Sequence, residues 1–184
     1  SFKYGHEPFK GDGGVMQLRI PQSIYAEARG DIRRPHPHAL ERIGYLYGKY
    51  SGSSVLVLTG YSSIPDEYYL KDKTVGARID HRGIALAMKR SSENNEGIFH
   101  VHAHHGRGFP KFSRDDIVDH PNFLRSFQNA NSQMPHGFIL LSDDRIFTKI
   151  WPTLNNPPLD IYRYTIVGAP LFHGWGGVFN DRSN

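Results

Sequence analysis

The chain has 184 residues, 38% of them apolar, and a formal charge of +4 with its eleven histidines neutral. That is one domain's worth of chain, with enough apolar content for a single core and too much for a disordered segment. It contains no cysteine, which excludes disulfides, thiol catalysis and Cys-ligated zinc and leaves only His and carboxylates to hold any zinc.

Residues 1–14 are polar and Gly-rich and read as a loose lead-in. Residues 15–20 alternate in the manner of an edge strand. Pro21 then stands where the first turn of a helix tolerates it, and 22–29 is helical in composition. In the stretch 33–38, Pro35 and Pro37 end that helix or divide it from a short further turn. Residues 42–50 and 54–63 are two strand-like runs joined by Ser51, Gly52 and Ser53, a hairpin pattern. A charged loop with Pro65 covers 61–72, a further strand is expected over 75–79, a helix over 81–90 and a polar turn over 91–96. Residues 97–104 form a strand whose period of two puts Ile98, His100, His102 and His104 on one face. After a loop at 106–110, Ser113 opens a helix that runs to Gln128. A second hairpin follows, with strands 136–141 and 145–151, and 161–167 is the last expected strand. The tail 168–184 is rich in Gly and aromatics and receives no assignment. Hairpins interspersed with helices predict a mixed α/β fold, a mixed sheet flanked by helices in one domain spanning 15–167.

No apolar run nears the roughly 18–20 residues of a membrane span. The N-terminus lacks the charged-then-apolar pattern of a signal peptide, and there is no long Lys/Arg block. The expectation is a cytoplasmic protein with no membrane partner and no nucleic-acid partner. The mild basic excess favours an acidic protein as partner.

The stretch from His100 to His105 carries four histidines, at 100, 102, 104 and 105, and is followed by Ser113 and Asp116. On a strand, two imidazoles two residues apart project from one face and converge on one ion. A catalytic zinc site takes three protein ligands and keeps one position open. Asp116, in the first turn of the next helix, is a suitable third ligand. Ser113 and Asp116 also fit a capping box, and by themselves that is the better explanation of the pair. Together with two histidines on the preceding strand, metal binding explains more, and the two roles are compatible. Glu41 precedes a strand-like run and shares its side with Ile43, Tyr45 and Tyr47. A carboxylate beside such a face suits a general base.

The upstream Glu in Glu-x-x-Gly-x-Leu-x-Gly, then His-x-His, then Ser-x-x-Asp, resembles the JAMM signature of the MPN domain family. The likeness runs from Glu41 to Asp116. It implies an MPN-type fold, zinc on His102, His104 and Asp116, Glu41 as base, and Ser113 as partner of the oxyanion. It implies a zinc metalloprotease that hydrolyses the bond after the C-terminal tail of ubiquitin or a ubiquitin-like protein. Compact bacterial members accompany ubiquitin-like conjugation systems, antiphage ones included, so deconjugation or precursor processing is expected. The 61–72 loop, with Asp66, Glu67, Tyr68 and Tyr69, either flanks the substrate groove or is an ordinary surface loop.

The match has departures. Eight residues, 105–112, separate His104 from Ser113 where the family has seven, and the extra one is expected to be taken up in the 106–110 loop. Pairing His100 with His102 instead fits the spacing less well, so His100 and His105 receive no role. The competing reading is an MPN-type scaffold that binds a ubiquitin-like partner without catalysis. A nucleobase deaminase lacks its Cys ligands here.

Overall fold

The structure, a computed structural model, describes residues 16–37, 39–71, 76–153 and 155–168, and the backbone alone of 172–175 and 180–181. The lead-in expected over 1–14 lies outside the described residues.

In chain order the elements are β1 (Gln17–Pro21), α1 (Gln22–Ile32), β2 (Ile43–Ser51), β3 (Val55–Ser63), a short 3-10 turn (Asp66–Tyr68) and α2 (His81–Asn94). Then come β4 (Gly97–Ala103), α3 (Arg114–Ala130), β5 (His136–Leu141), β6 (Ile146–Trp151), β7 (Leu159–Ile161), β8 (Arg163–Val167), β9 (Phe172–Trp175) and β10 (Asn180–Asp181). The expected mixed α/β architecture in one domain is present, with three helices on a mixed sheet. The two predicted hairpins pair antiparallel, β2 with β3 and β5 with β6. Gly52 turns the first of them at φ +68, in the region that glycine enters without a Cβ clash.

One sheet runs in the order β10-β9-β8-β1-β3-β2-β4-β5-β6-β7. Only Tyr162 separates the end of β7 from the start of β8, yet the two lie eight strands apart in that order, counting both. So short a link forces the eight strands from β8 round to β7 to curl into a nearly closed barrel.

The pleat sorts the side chains onto two cores. Leu18, Ile20, Leu46, Leu56, Phe99, Val101 and Ile139 form one, closed by Ala28 and Ile32 on one stripe of α1. Ile43, Tyr45, Tyr47 and Ile98 face the other way and meet Ala87 of α2 and Phe127 of α3. Small residues at Gly83, Ala87 and Ser91 form the buried stripe of α2, which lets that helix lie close on the sheet.

Four sequence expectations change. The strand expected over 15–20 is not at an edge: β1 lies between β3 and β8, parallel to both, because a strand from the far end of the chain covers its open side. The turn expected over 91–96 is helix as far as Asn94. Asn95 closes it at φ 53, and Ser91 Oγ donates to the Glu96 carbonyl at 2.6 Å. Of the strand expected over 75–79, the described part makes only a bridge between Tyr69 and Ile79. The strand expected over 161–167 is split at Tyr162 between β7 and β8, which pair with β6 and β1 respectively. In the tail, β9 and β10 extend the sheet beyond β8.

Candidate metal centre

β4 lies between β2 and β5, where Ile43 stands opposite His102 and Tyr45 opposite His100. Its even-numbered side chains therefore face α2 and α3, as the period of two predicts. The strand ends at Ala103, but the His104 N–H still donates to the Leu141 carbonyl at 2.9 Å. That bond keeps His104 on the course of the strand. The rings of His102 and His104 meet at 65°, and their Nε2 atoms are 3.3 Å apart.

The next eight residues bring the chain back. Gly106 and Gly108 adopt φ +105 and +102, which side-chain-bearing residues rarely do. The β5–β6 turn holds this loop: Gly108 N–H donates to Asp144 Oδ1 at 2.8 Å, and Ser142 Oγ donates to the Gly108 carbonyl at 2.8 Å. Phe109 and Phe112 both pack on Phe147. The helix that follows starts with the predicted capping box. Asp116 N–H donates to Ser113 Oγ at 3.1 Å, and Ser113 N–H donates to Asp116 Oδ2 at 2.7 Å.

The box fixes Asp116 with its carboxylate turned to the histidines. Asp116 Oδ1 is 3.3 Å from His102 Nε2, and Oδ2 is 3.6 Å from His104 Nε2. Burial acts to raise this carboxyl. The His102 imidazole and the Ser113 hydroxyl and N–H outweigh it and hold the group well below the usual carboxylate range.

Glu41 reaches the same place from the segment before β2. One ligand atom each from Glu41, His102 and His104 lie within 4.8 Å of one another, a cluster that can hold a metal ion. Its neighbours brace it on both sides. Glu41 N–H donates to the Gly76 carbonyl at 2.8 Å. Arg42, only 3% exposed, donates to Asp66 at 2.6 Å and to the carbonyls of Arg34 and Pro35 at 3.0 and 2.9 Å. The Tyr69 hydroxyl bridges the backbone N–H and C=O of Ile43. Asp66 and Tyr69, expected on sequence to flank a groove, tie down Arg42 and Ile43, the residues that lead from Glu41 into β2.

Ligands set tetrahedrally about 2.0–2.1 Å from a zinc ion stand about 3.3–3.4 Å from one another. His102 Nε2 lies 3.3 Å from His104 Nε2 and 3.3 Å from Asp116 Oδ1, close to that edge length, whereas the 3.6 Å contact to His104 Nε2 is made by the other oxygen, Asp116 Oδ2. The capping box and the strand pairing hold the Asp116 carboxylate against the two imidazoles, beside the cluster of Glu41, His102 and His104. Two imidazoles and a carboxylate make a donor set that zinc accepts.

The cluster lines a cleft of about 730 Å³. Ser113 lines it too, so the structure brings all five sequence-predicted residues together. Leu40, Leu70 and Val118, all well exposed, stand on its rim. Sequence reasoning missed the length of the cleft along α3, where Asp115, Val118, Asp119, Asn122, Phe123 and Ser126 line one wall. Their spacing of three and four residues was the available signal. It also missed His120, which stacks on Phe138 at 3.6 Å between ring centres. Burial pushes His120 down to about 4, with Asp116 opposing the shift. His100 is buried on the same floor, and burial holds its imidazole well below the ordinary value. His105 is exposed beyond the strand end.

No protein-family model matches this chain, and neither does any curated protein.

Proposed function

We propose that the chain is a zinc-dependent isopeptidase or peptidase that hydrolyses the bond after the C-terminal tail of a ubiquitin-like protein. The observation that carries this reading is the convergence of the His102 and His104 Nε2 atoms, 3.3 Å apart, with the Asp116 carboxylate at 3.3 and 3.6 Å through its two oxygens and the Glu41 carboxylate beside both imidazoles. His102, His104 and Asp116 are the ligands. The ubiquitin-like tail rests on the resemblance of the motif from Glu41 to Asp116 to the JAMM signature.

Zinc held there supplies a Lewis acid that polarises a carbonyl and brings the pKa of a bound water to about 7. Glu41 takes the proton of the attacking water and passes it to the departing amine, a double duty that its place beside the ligands allows. Ser113 Oγ accepts from the Asp116 N–H, which leaves its own proton free to be donated to the oxyanion. Asp116, held anionic by its partners, stays a ligand across the physiological pH range.

The test is a panel of ubiquitin-like tail fusions incubated with zinc-loaded protein, with and without chelator. Cleavage that chelator abolishes and zinc restores is expected, with one zinc per chain by elemental analysis. The Glu41→Gln protein should keep its zinc and lose nearly all turnover. Cleavage that survives chelation, or a Glu41→Gln protein as active as wild type, rules the mechanism out. Tail binding without cleavage by a zinc-loaded protein identifies a scaffold instead.

A further inference from the structure

An acid that takes a proton and hands it on works best with its oxygens free, since each hydrogen bond to a carboxylate occupies a lone pair that the chemistry needs. Glu41 meets that condition. No described residue donates a hydrogen bond to its carboxylate, and it lies in an irregular segment before β2, outside every described helix and strand. Its place beside His102 and His104 is therefore set by the backbone on either side of it.

One part of the chain clamps that backbone. Residues 66–71 and 76–80 are two legs tied to each other: Tyr69 bridges Ile79, Leu70 N–H donates to the Arg78 carbonyl at 2.8 Å, and Asp80 N–H donates to the Tyr68 carbonyl at 2.8 Å. Both legs grip the Glu41 segment. From the second, the Gly76 carbonyl accepts from the Glu41 N–H. From the first, Asp66 accepts from Arg42 at 2.6 Å, and the Tyr69 hydroxyl accepts from the Ile43 N–H at 3.0 Å and donates to the Ile43 carbonyl at 2.9 Å. Tyr69 is the centre of the clamp. It is buried, and its ring lies 4.0 Å from that of His36 between centres. Burial pushes its hydroxyl up to about 12, so it remains a donor at neutral pH. Packing alone does not require that hydroxyl. Tyr45, in the same core, buries one that has no hydrogen-bond partner among the described residues.

We propose that Tyr69 is a positioning residue for turnover: its hydroxyl, with the Asp66–Arg42 pair, sets where the Glu41 carboxylate stands relative to the two imidazoles. Tyr69 touches neither metal nor substrate and acts only through Glu41. The proposal rests on the function given above for the word turnover. The placement of the carboxylate is a structural claim that stands without cleavage.

The test separates placement from turnover. Tyr69→Phe keeps the ring and removes both bonds to Ile43. The zinc-loaded variant should hold as much zinc as wild type, since no ligand is touched, and should cleave tail fusions with an unchanged KM and a kcat about tenfold lower. Asp66→Asn, which keeps the shape and removes the charge, should lower kcat severalfold. On a Glu41→Gln background Tyr69→Phe should leave the residual single-turnover rate unchanged, because both changes act through one carboxylate. Ser91→Ala is the structural control. It also removes a buried hydroxyl that donates to a carbonyl, beside the end of β4 away from His102, and should lower stability without lowering kcat. Crystal structures of the metal-free wild-type and Tyr69→Phe proteins read the placement directly. The Glu41 carboxylate should move by about 1 Å or more, with His102 and His104 in place. If Tyr69→Phe does not fold, Asp66→Asn carries the same comparisons, its side chain being 45% exposed. A kcat lowered no more than by Ser91→Ala overturns the proposal, as does a further loss of rate on Glu41→Gln or a carboxylate that stays where it was. A displaced carboxylate in a protein whose wild type cleaves no tail fusion upholds the placement by Tyr69 and sinks the isopeptidase reading.

Discussion

At the scale of single residues, the position of Glu41 depends on a neighbour that offers no side chain. A Cβ built on Gly76 would stand 2.6 Å from Glu41 Oε2, too close for any real contact. Gly76→Ala should therefore push the carboxylate off the cluster and leave the ligands alone. The expected outcome is a zinc content equal to wild type and a fall in kcat on the order of 10²-fold, the scale of a displaced general base. A Gly76→Ala protein with wild-type turnover would separate Glu41 from the chemistry. That His102, His104, Ser113 and Asp116 come together was legible in the sequence, because period-two spacing and a capping pattern are local rules, whereas Glu41 was picked out only by the resemblance of the motif. Gly76, Arg42 and His120 were not legible. Their importance comes from contacts between segments far apart in the chain, and no spacing rule reports those.

At the scale of elements, the start of α3 does two jobs with the same atoms. Ser113 caps the helix and presents its hydroxyl to the cleft, and Asp116 completes the box while facing the histidines. The two jobs come apart in mutants. Ser113→Ala should cost about 1 kcal/mol of stability as a lost cap and about 10²–10³ in kcat as a lost oxyanion donor. Ser113→Gly keeps most of the cap and should cost only a few tenths of a kcal/mol, with the same loss of rate. Thermal denaturation and single-turnover kinetics on the two variants measure these effects. If the glycine variant were as fast as wild type, the hydroxyl would be a cap and nothing more. Helix and hairpin positions were readable because their patterns are strong. The boundaries that moved were set by partners: α2 runs on because Asn95 and the Ser91 hydroxyl close it later. The run at 161–167 broke because its two halves pair with opposite ends of the barrel.

At the scale of the whole molecule, buried imidazoles make stability depend on pH. Burial pushes both His120 and His136 from 6.5 down to about 4, and His136 is committed to the Ile98 N–H and the Asn131 carbonyl. Between those values the unfolded chain binds protons that the folded chain refuses. Stability therefore falls as pH drops from about 6.5 towards about 4, and is restored as pH rises. A metal-free sample should show its Tm declining across that window, and His136→Asn should flatten the decline. A Tm independent of pH there would mean that these rings open to water. The sheet order was the least legible property of the sequence. Pairing between β1 and β8, far apart in the chain, leaves no local trace, so β1 was expected at an edge.

That pairing bears on how the protein is made. β1 emerges from the ribosome well before the strand that covers its outer side, β8, which lies close to the end of the described chain. Until Arg163 to Val167 have been synthesised, Leu18 and Ile20 belong to a strand with one flank bare, a hazard for pairing with other chains. Assembly of the barrel is consequently a late, long-range event. A prematurely terminated chain that stops before Tyr162 would hold every residue of the metal cluster and still lack the strand that seals its first.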